Sequence, residues 1–236
     1  MNIVITGASR GIGAELALKI AEENDHSLIL ISRNRDCLNG IQQKMEQLNN
    51  RIHCEVIPSD LSEINNIKVV AGLIKEKFKV VDVLINNAGL LVNKTFENTS
   101  PEEISDILGV NLVTPAILIR ELLEPLRNSD KAHVINIGSI GGVQGSVKFP
   151  GLSFYSAAKG ALAILTECLA EEYKKTNIKF NCLALGSVDT EMFRKAFPGY
   201  KASLNASEMA AFIKNFAFTG HRYFNGKILP VAITTP

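Results

Sequence analysis

The sequence predicts an α/β fold, a doubly wound parallel sheet of about seven strands with helices on both faces. Three observations predict it. Short runs rich in Val, Ile and Leu alternate with longer stretches of helical period, several of those runs are apolar almost without interruption, and the first opens directly into a glycine-rich turn. An unbroken apolar run belongs to a parallel strand covered on both faces, whereas a half-solvated strand alternates.

In chain order the strands are expected at Ile3–Thr6, Leu28–Ser32, His53–Ile57, Val81–Asn86, His133–Ile137, Lys179–Leu185 and Ile228–Ile233. The first sits so close to the start that it leaves no room for a signal peptide. Helices are expected at about 12–24, 35–49, 62–78, 101–127, 154–175 and 207–218. The first begins inside the glycine-rich turn. The fourth opens on Ser100-Pro101-Glu102-Glu103, an N-cap serine with proline in the first turn and glutamate at N3. The fifth carries a tyrosine and a lysine one turn apart. Two stretches, 139–153 and 186–206, read as long loops, and long loops in a compact domain are often functional. No repeat, low-complexity segment or linker interrupts the pattern, so residues 1–236 are read as one domain, with a substrate loop at about 186–206.

Composition excludes several function classes. A chain of 236 residues is long enough for one large α/β core without a disulfide or metal staple. Lys+Arg 25 against Asp+Glu 24 leaves a net charge of +1 with no block of like charge, which disfavours a nucleic-acid footprint. Cys37, Cys54, Cys168 and Cys182 are scattered, with no C-x-x-C pair, so neither a zinc site nor a disulfide framework is expected. Reduced thiols point to a cytoplasmic protein. No apolar run approaches the roughly 18 residues of a membrane span. None of His26, His53, His133 and His221 falls in a motif.

Thr6-Gly7-Ala8-Ser9-Arg10-Gly11-Ile12-Gly13 lies between a buried strand and a helix. Glycines there let the backbone approach a pyrophosphate, and the helix N-terminus offers N–H groups and the positive dipole end. The turn lacks the G-K-[ST] of a nucleoside-triphosphate loop. Tyr155 and Lys159 are spaced i to i+4 on one helical face. An ammonium near a phenol favours the phenolate and lowers its pKa, making the tyrosine a usable acid or base. Ser139 is no hydrolase nucleophile, because Ile137-Gly138-Ser139-Ile140-Gly141 lacks the first glycine of G-x-S-x-G.

Taken in order, Thr6–Gly13, Asp60-Leu61, Asn86-Asn87-Ala88-Gly89, Asn111, Ser139, Tyr155 with Lys159, and Gly186 to Thr190 resemble the short-chain dehydrogenase/reductase family, of the NADP-preferring carbonyl reductase type. The resemblance spans residues 6 to 190 and implies a Rossmann fold and a nicotinamide cofactor. It implies that Gly7, Ser9, Gly11, Ile12 and Gly13 cradle the cofactor, that Asp60 and Leu61 contact adenine, and that Asn87, Ala88 and Gly89 line the adenine ribose. Gly186, Val188 and Thr190 would border the nicotinamide. Tyr155 would exchange a proton with the substrate oxygen, Ser139 would hydrogen-bond that oxygen, Lys159 would bond the ribose and tune Tyr155, and Asn111 would hold a relay water. The cofactor is expected to be NADP(H). The second strand ends in Ser32-Arg33-Asn34 with no acid to accept a ribose 2′-hydroxyl, and the resemblance sets Arg10 beside the same phosphate. A catalytically silent NADP(H)-sensing protein of the same fold is the alternative.

Three features depart from the family pattern. Ser139 and Tyr155 are more widely spaced than usual, so Gly145 to Leu152 is expected to enlarge the substrate mouth. Leu185 replaces the proline before Gly186, which predicts a less rigid turn. The segment Ile228–Pro236 lacks a glycine-rich ending, which weighs against a tetramer and leaves dimer or tetramer open. A homo-oligomer is expected, with Ile117, Leu118, Leu122, Leu165 and Leu169 as surplus apolar surface. The substrate is expected to be a small-molecule carbonyl or alcohol. Met192, Phe193, Phe197 and Tyr200, with Phe149 and Phe154 across the cleft, predict an apolar pocket, while Arg194, Lys195 and Lys201 read as solvated charges.

Overall fold

The computed structural model describes residues 1–23 and 26–233. Strands β1 (Asn2–Thr6), β2 (Ser27–Ser32), β3 (His53–Pro58), β4 (Val83–Asn86), β5 (His133–Ser139), β6 (Lys179–Leu185) and β7 (Lys227–Val231) form one sheet. The order is β3-β2-β1-β4-β5-β6-β7 and every neighbouring pair is parallel. Strand order reverses between β1 and β4, so the loops leaving their carboxyl ends diverge and open a crevice there. The sheet is the predicted one.

Helices α1 (Gly11–Ala21), α2 (Arg35–Leu48), α3 (Ile64–Lys77), α4 (Pro101–Leu108), α5 (Thr114–Glu121), α6 (Leu123–Arg127), α7 (Ser153–Glu172), α8 (Glu191–Ala196) and α9 (Ala206–Thr219) flank it. On one face Ile3, Ile5, Leu28 and Leu30 pack with Leu16, Leu38, Met45 and Ile213 from α1, α2 and α9. The alternate residues Val4, Ile29, Leu84 and Phe180 meet Ile67, Val70 and Ile74 of α3, Leu118 of α5 and Leu122 just after it on the other. Two covered faces explain why β1, β2 and β4 carry no polar alternation. The edge strand β3, half-covered, does alternate.

Four expectations need correction. The helix expected at 101–127 is broken. After α4, residues Gly109–Val113 form a π-helical turn in which the Thr114 amide bonds back to Gly109, and α5 and α6 follow as separate short helices. Pro115 cannot donate to the Asn111 carbonyl four residues back, and Asn111 Nδ2 takes the Ile107 carbonyl at 2.8 Å, so the regular ladder is displaced there. The stretch 186–206 is not irregular: Val188–Asp189 pairs in parallel with Leu204–Asn205, and α8 stands between them. Leu118 and Leu122 are wholly buried in the core, so the apolar surface that α5 and α7 keep is Ile117, Leu165 and Leu169, partly exposed, with Ile164 60% exposed. The last strand runs Lys227–Val231, and residue 24 of the first predicted helix and residues 234–236 lie outside the described residues.

His133, the first residue of β5, is fully buried. Its Nδ1 lies 3.2 Å from the Ala217 carbonyl and its Nε2 lies 3.0 Å from Asn181 Nδ2. The Asn181 amide is oriented independently, because Nδ2 also donates to the Phe224 carbonyl at 3.1 Å and Oδ1 accepts from the Lys227 amide at 3.1 Å. A carbonyl only accepts, so Nδ1 carries the proton and Nε2 is left to accept from Asn181. That ring is neutral. Burial, with His221 nearby, pushes its pKa down to about 4.

Candidate active site

The glycine-rich turn is built by its neighbours. The Gly7 amide donates to the Ile31 carbonyl at 2.8 Å, tying the turn to β2, and the side chains of Ser9 and Ser32 share a 2.7 Å hydrogen bond. Asn87 Nδ2 donates to the carbonyls of Thr6 and Gly7 at 3.0 and 3.1 Å, while Thr6 Oγ1 accepts from the Asn87 and Ala88 amides. The end of β4 thus clamps the end of β1. A Cβ on Gly13 would lie 2.3 Å from the Gly7 carbonyl oxygen, so only glycine lets the helix start that close to the turn. Asn87 and its neighbours therefore hold β1 and β4 together where the turn leaves the sheet.

The expectation of no carboxylate at the proposed phosphate end needs correction. Arg33 Nη1 stands 3.9 Å from Asp60 Oδ2, and Arg10 Nη1 stands 2.8 Å from Glu191 Oε2 at the start of α8. The acid comes from the end of β3 and from the substrate loop rather than from β2. Both pairs are largely exposed, and each arginine stays reachable from the cleft.

Ser139 ends β5, where its Oγ accepts from the Gly141 amide at 3.3 Å, and its side chain lines the same cleft as Tyr155. Lys159, one turn further along α7, is buried and donates to the Ile137 carbonyl at 2.7 Å. Its ammonium is 5.8 Å from the centre of the Tyr155 ring. The sequence expectation that Lys159 lowers the Tyr155 pKa is not met in this state. Burial pushes Tyr155 up to about 12, with the neighbouring Ser139 side chain pulling the other way. Burial likewise brings Lys159 down to about 8, the buried Cys182 being its electrostatic neighbour. Lys159 points at a backbone carbonyl instead of the phenol oxygen.

Asn111 is fully buried in the π-turn, its Nδ2 donating to the carbonyls of Leu90 and Ile107 and its Oδ1 accepting from the Leu90 amide at 3.3 Å. In the turn after Leu185 the Gly186 amide donates to the Val231 carbonyl at 2.9 Å. Thr190 Oγ1 caps α8 by accepting from the Phe193 amide at 3.2 Å. Leu61 is buried, and its carbonyl accepts from Thr114 Oγ1 at 2.5 Å.

These residues surround one cleft of about 840 Å³ at the crevice between β1 and β4. Every residue predicted for catalysis or cofactor binding lines it except Gly13 and Asn111, which lie just behind its wall. Phe149, Phe193, Phe197 and Tyr200 form an aromatic wall, Phe197 touching each of the other three at ring-centre distances of 6.1, 5.3 and 6.2 Å. Phe154 is not part of it. One residue before Tyr155 on the helix, it faces away and stacks on Phe96 at 5.2 Å. Arg194 pairs with Asp189 at 2.6 Å, whereas Lys201 does reach the cleft. Leu90, Leu91, Asn93 and Glu191 were not singled out in the sequence; their positions depend on contacts from distant segments.

The family model described as short chain dehydrogenase matches residues 1–201. An uncharacterized oxidoreductase of Staphylococcus saprophyticus is 33% identical over 192 residues, covering 80% of this chain and 75% of that protein. The 3-oxoacyl-[acyl-carrier-protein] reductase FabG of Chlamydia trachomatis is 27% identical over 239 residues, covering 97% and 94%. A short chain dehydrogenase from Escherichia coli, solved in complex with NADPH, superposes with a TM-score of 0.88 at 25% identity, covering 97% of this chain and 95% of the other.

Proposed function

The chain belongs to the short-chain dehydrogenase family of oxidoreductases, and from that premise we propose that it moves a hydride between NADP(H) and a carbonyl or secondary alcohol. The observation that carries this is the placement of Tyr155, Ser139 and Lys159 in one cleft between the glycine-rich turn and the aromatic wall. The turn suits a dinucleotide: Gly13 is free of a side chain where the helix begins, and the helix N-terminus faces the cleft through Gly11 and Ile12. The family's cofactor, when bound, supplies or accepts the hydride.

The protein's own groups handle the proton and the charge. Tyr155, protonated at neutral pH, donates its hydroxyl proton to the carbonyl oxygen during reduction and removes it from the alcohol during oxidation. Ser139 stabilises the charge developing on that oxygen. Lys159, fixed on the Ile137 carbonyl, has N–H groups left to bond the ribose and to pass a proton. Asn111 uses its side chain on Leu90 and Ile107, which leaves its backbone carbonyl, bypassed by Pro115, to hold a relay water. The four aromatic rings favour a substrate with an apolar body. NADPH consumption with a panel of aldehydes, ketones and diketones tests the proposal; tight NADPH binding with turnover of none would favour the silent sensor.

NADP(H) is preferred on the strength of Arg33 and Arg10 together with the NADPH-bound relative. Arg33→Ala is expected to weaken NADPH binding about 10-fold and leave NADH within about 2-fold, a charge-assisted bond discounted for exposure. Titrating both cofactors against both proteins checks it; equal losses would remove Arg33 from phosphate recognition. We also place the protein in the cytoplasm, where the free thiols Cys37, Cys54, Cys168 and Cys182 stay reduced. A two-fold oligomer through the apolar surface of α5 and α7 completes the reading. Sedimentation velocity at micromolar concentration should show at least a dimer, and a monomer would refute it.

A further inference from the structure

We infer that Asn93 is a positioning residue that holds the substrate loop shut over the cleft, an inference that rests on the cleft being the substrate site. Asn93 lies in the connection between β4 and α4, and its Nδ2 donates to the Ala196 carbonyl at 2.6 Å. Ala196 is the last residue of α8, a helix more than a hundred positions away in the chain. The next amide, Lys94 N, donates to the Gly151 carbonyl at 3.1 Å. Gly151 has a positive φ of +83°, and a Cβ there would come within 2.0 Å of Asn93 Oδ1. Two consecutive residues thus fasten three loops: the one after β4, the enlarged one after β5 and the substrate loop.

The fastened end of α8 carries the aromatic wall. Phe193 lies on the helix, Phe197 follows Ala196, and Phe149 packs on Phe197 from the Gly151 loop. The other end of α8 is held by the Arg10–Glu191 pair, exposed and therefore weak. The Asn93 bond is the contact that fixes the wall's distance from Tyr155, because its acceptor is backbone and cannot turn aside like a side chain. The connection that holds Asn93 is rigid at its root, where Leu90 is bound at both its amide and its carbonyl by Asn111.

Asn93→Asp keeps the shape but replaces the donor with a carboxylate facing a carbonyl; Asn93→Ala removes both atoms. Trypsin cleavage after Arg194, Lys195 or Lys201 in the full-length protein reports the loop's opening. With a hydrogen bond's net worth lost, nicking should accelerate about 3- to 10-fold in Asn93→Ala and at least as much in Asn93→Asp. NADPH affinity should stay at the wild-type value, and the melting temperature should fall by no more than a few degrees. With any ketone from the panel that the wild type reduces, KM should rise by the same factor while kcat moves less than about 2-fold. Gly151→Ala, which pushes Asn93 aside, should reproduce the faster nicking and the raised KM, with an added loss of stability from a Cβ at positive φ. Wild-type nicking rates in both Asn93 variants would overturn the inference even if turnover is normal. Faster nicking without turnover of any ketone would uphold the latch and sink the oxidoreductase reading instead.

Discussion

Tyr155→Phe is expected to lower kcat by about 10²- to 10⁴-fold, the scale set by removing a general acid or base. The ring keeps its place in α7 and loses only the hydroxyl, so folding and NADPH affinity should be near wild type. Burial holds the phenol at about 12, so at neutral pH Tyr155 is protonated and ready to donate. Reduction therefore proceeds with the acid already in its working form, and oxidation should gain from rising pH because it needs the deprotonated form. The variant should lose both directions. Ser139 retains its hydroxyl for the substrate oxygen and accounts for residual rate. Single-turnover NADPH consumption in a preparation free of wild type is the measurement, and a kcat within a few-fold of normal would remove Tyr155 from the chemistry.

The second large effect is acid lability. His133 is neutral in the fold with a pKa of about 4, against 6.5 in an unfolded chain. Between those values the unfolded state binds the proton and the native state does not, so stability is complete above pH 6.5 and falls as pH drops towards 4. The whole contribution is about 3 kcal/mol, from about 1.4 kcal/mol for each unit of displacement. Protonated Nε2 would face the Asn181 amide donor to donor, so the proton cannot enter without breaking the join between β5, β6 and the end of α9. Urea unfolding at pH 7.5, 5.5 and 4.5 should show the loss, and His133→Asn, which has no ionisable group, should flatten it. Equal pH slopes in the two proteins would clear His133 of the effect.

The strands could be read from the sequence because burial on both faces writes itself as unbroken Val, Ile and Leu. The residues of the cleft were legible through the family resemblance, and a parallel sheet brings those successive strand ends together whatever the intervening lengths. The unread features depended on long-range partners. Nothing near Arg33 announces Asp60, and nothing near Arg10 announces Glu191, because those pairs join β2 to β3 and the first turn to α8. Helical period carried the reading through 101–127, where Pro115 marked a break that the apolar spacing concealed. The six residues of α8 are too few to show a period at all. The burial of Leu118 and Leu122 comes from the packing of α3 beside them, a contact between segments far apart in the chain. For Lys159, i to i+4 spacing gave the shared helical face but not the Ile137 carbonyl that takes its ammonium.

The π-turn at Gly109–Val113 makes chain length itself informative. Such a turn holds one residue more than an α-helical turn, and each helical residue advances the helix by about 100°. Deleting a single residue there would let α4 run on smoothly into α5, yet rotate everything downstream by that angle relative to the Ser100 cap. Leu118 and Leu122 would swing off the sheet, and Asn111 would lose its hold on Leu90. A one-residue deletion in this segment would therefore harm the protein more than most point substitutions within it, because the count of residues, not only their kind, aims both the core and the cleft.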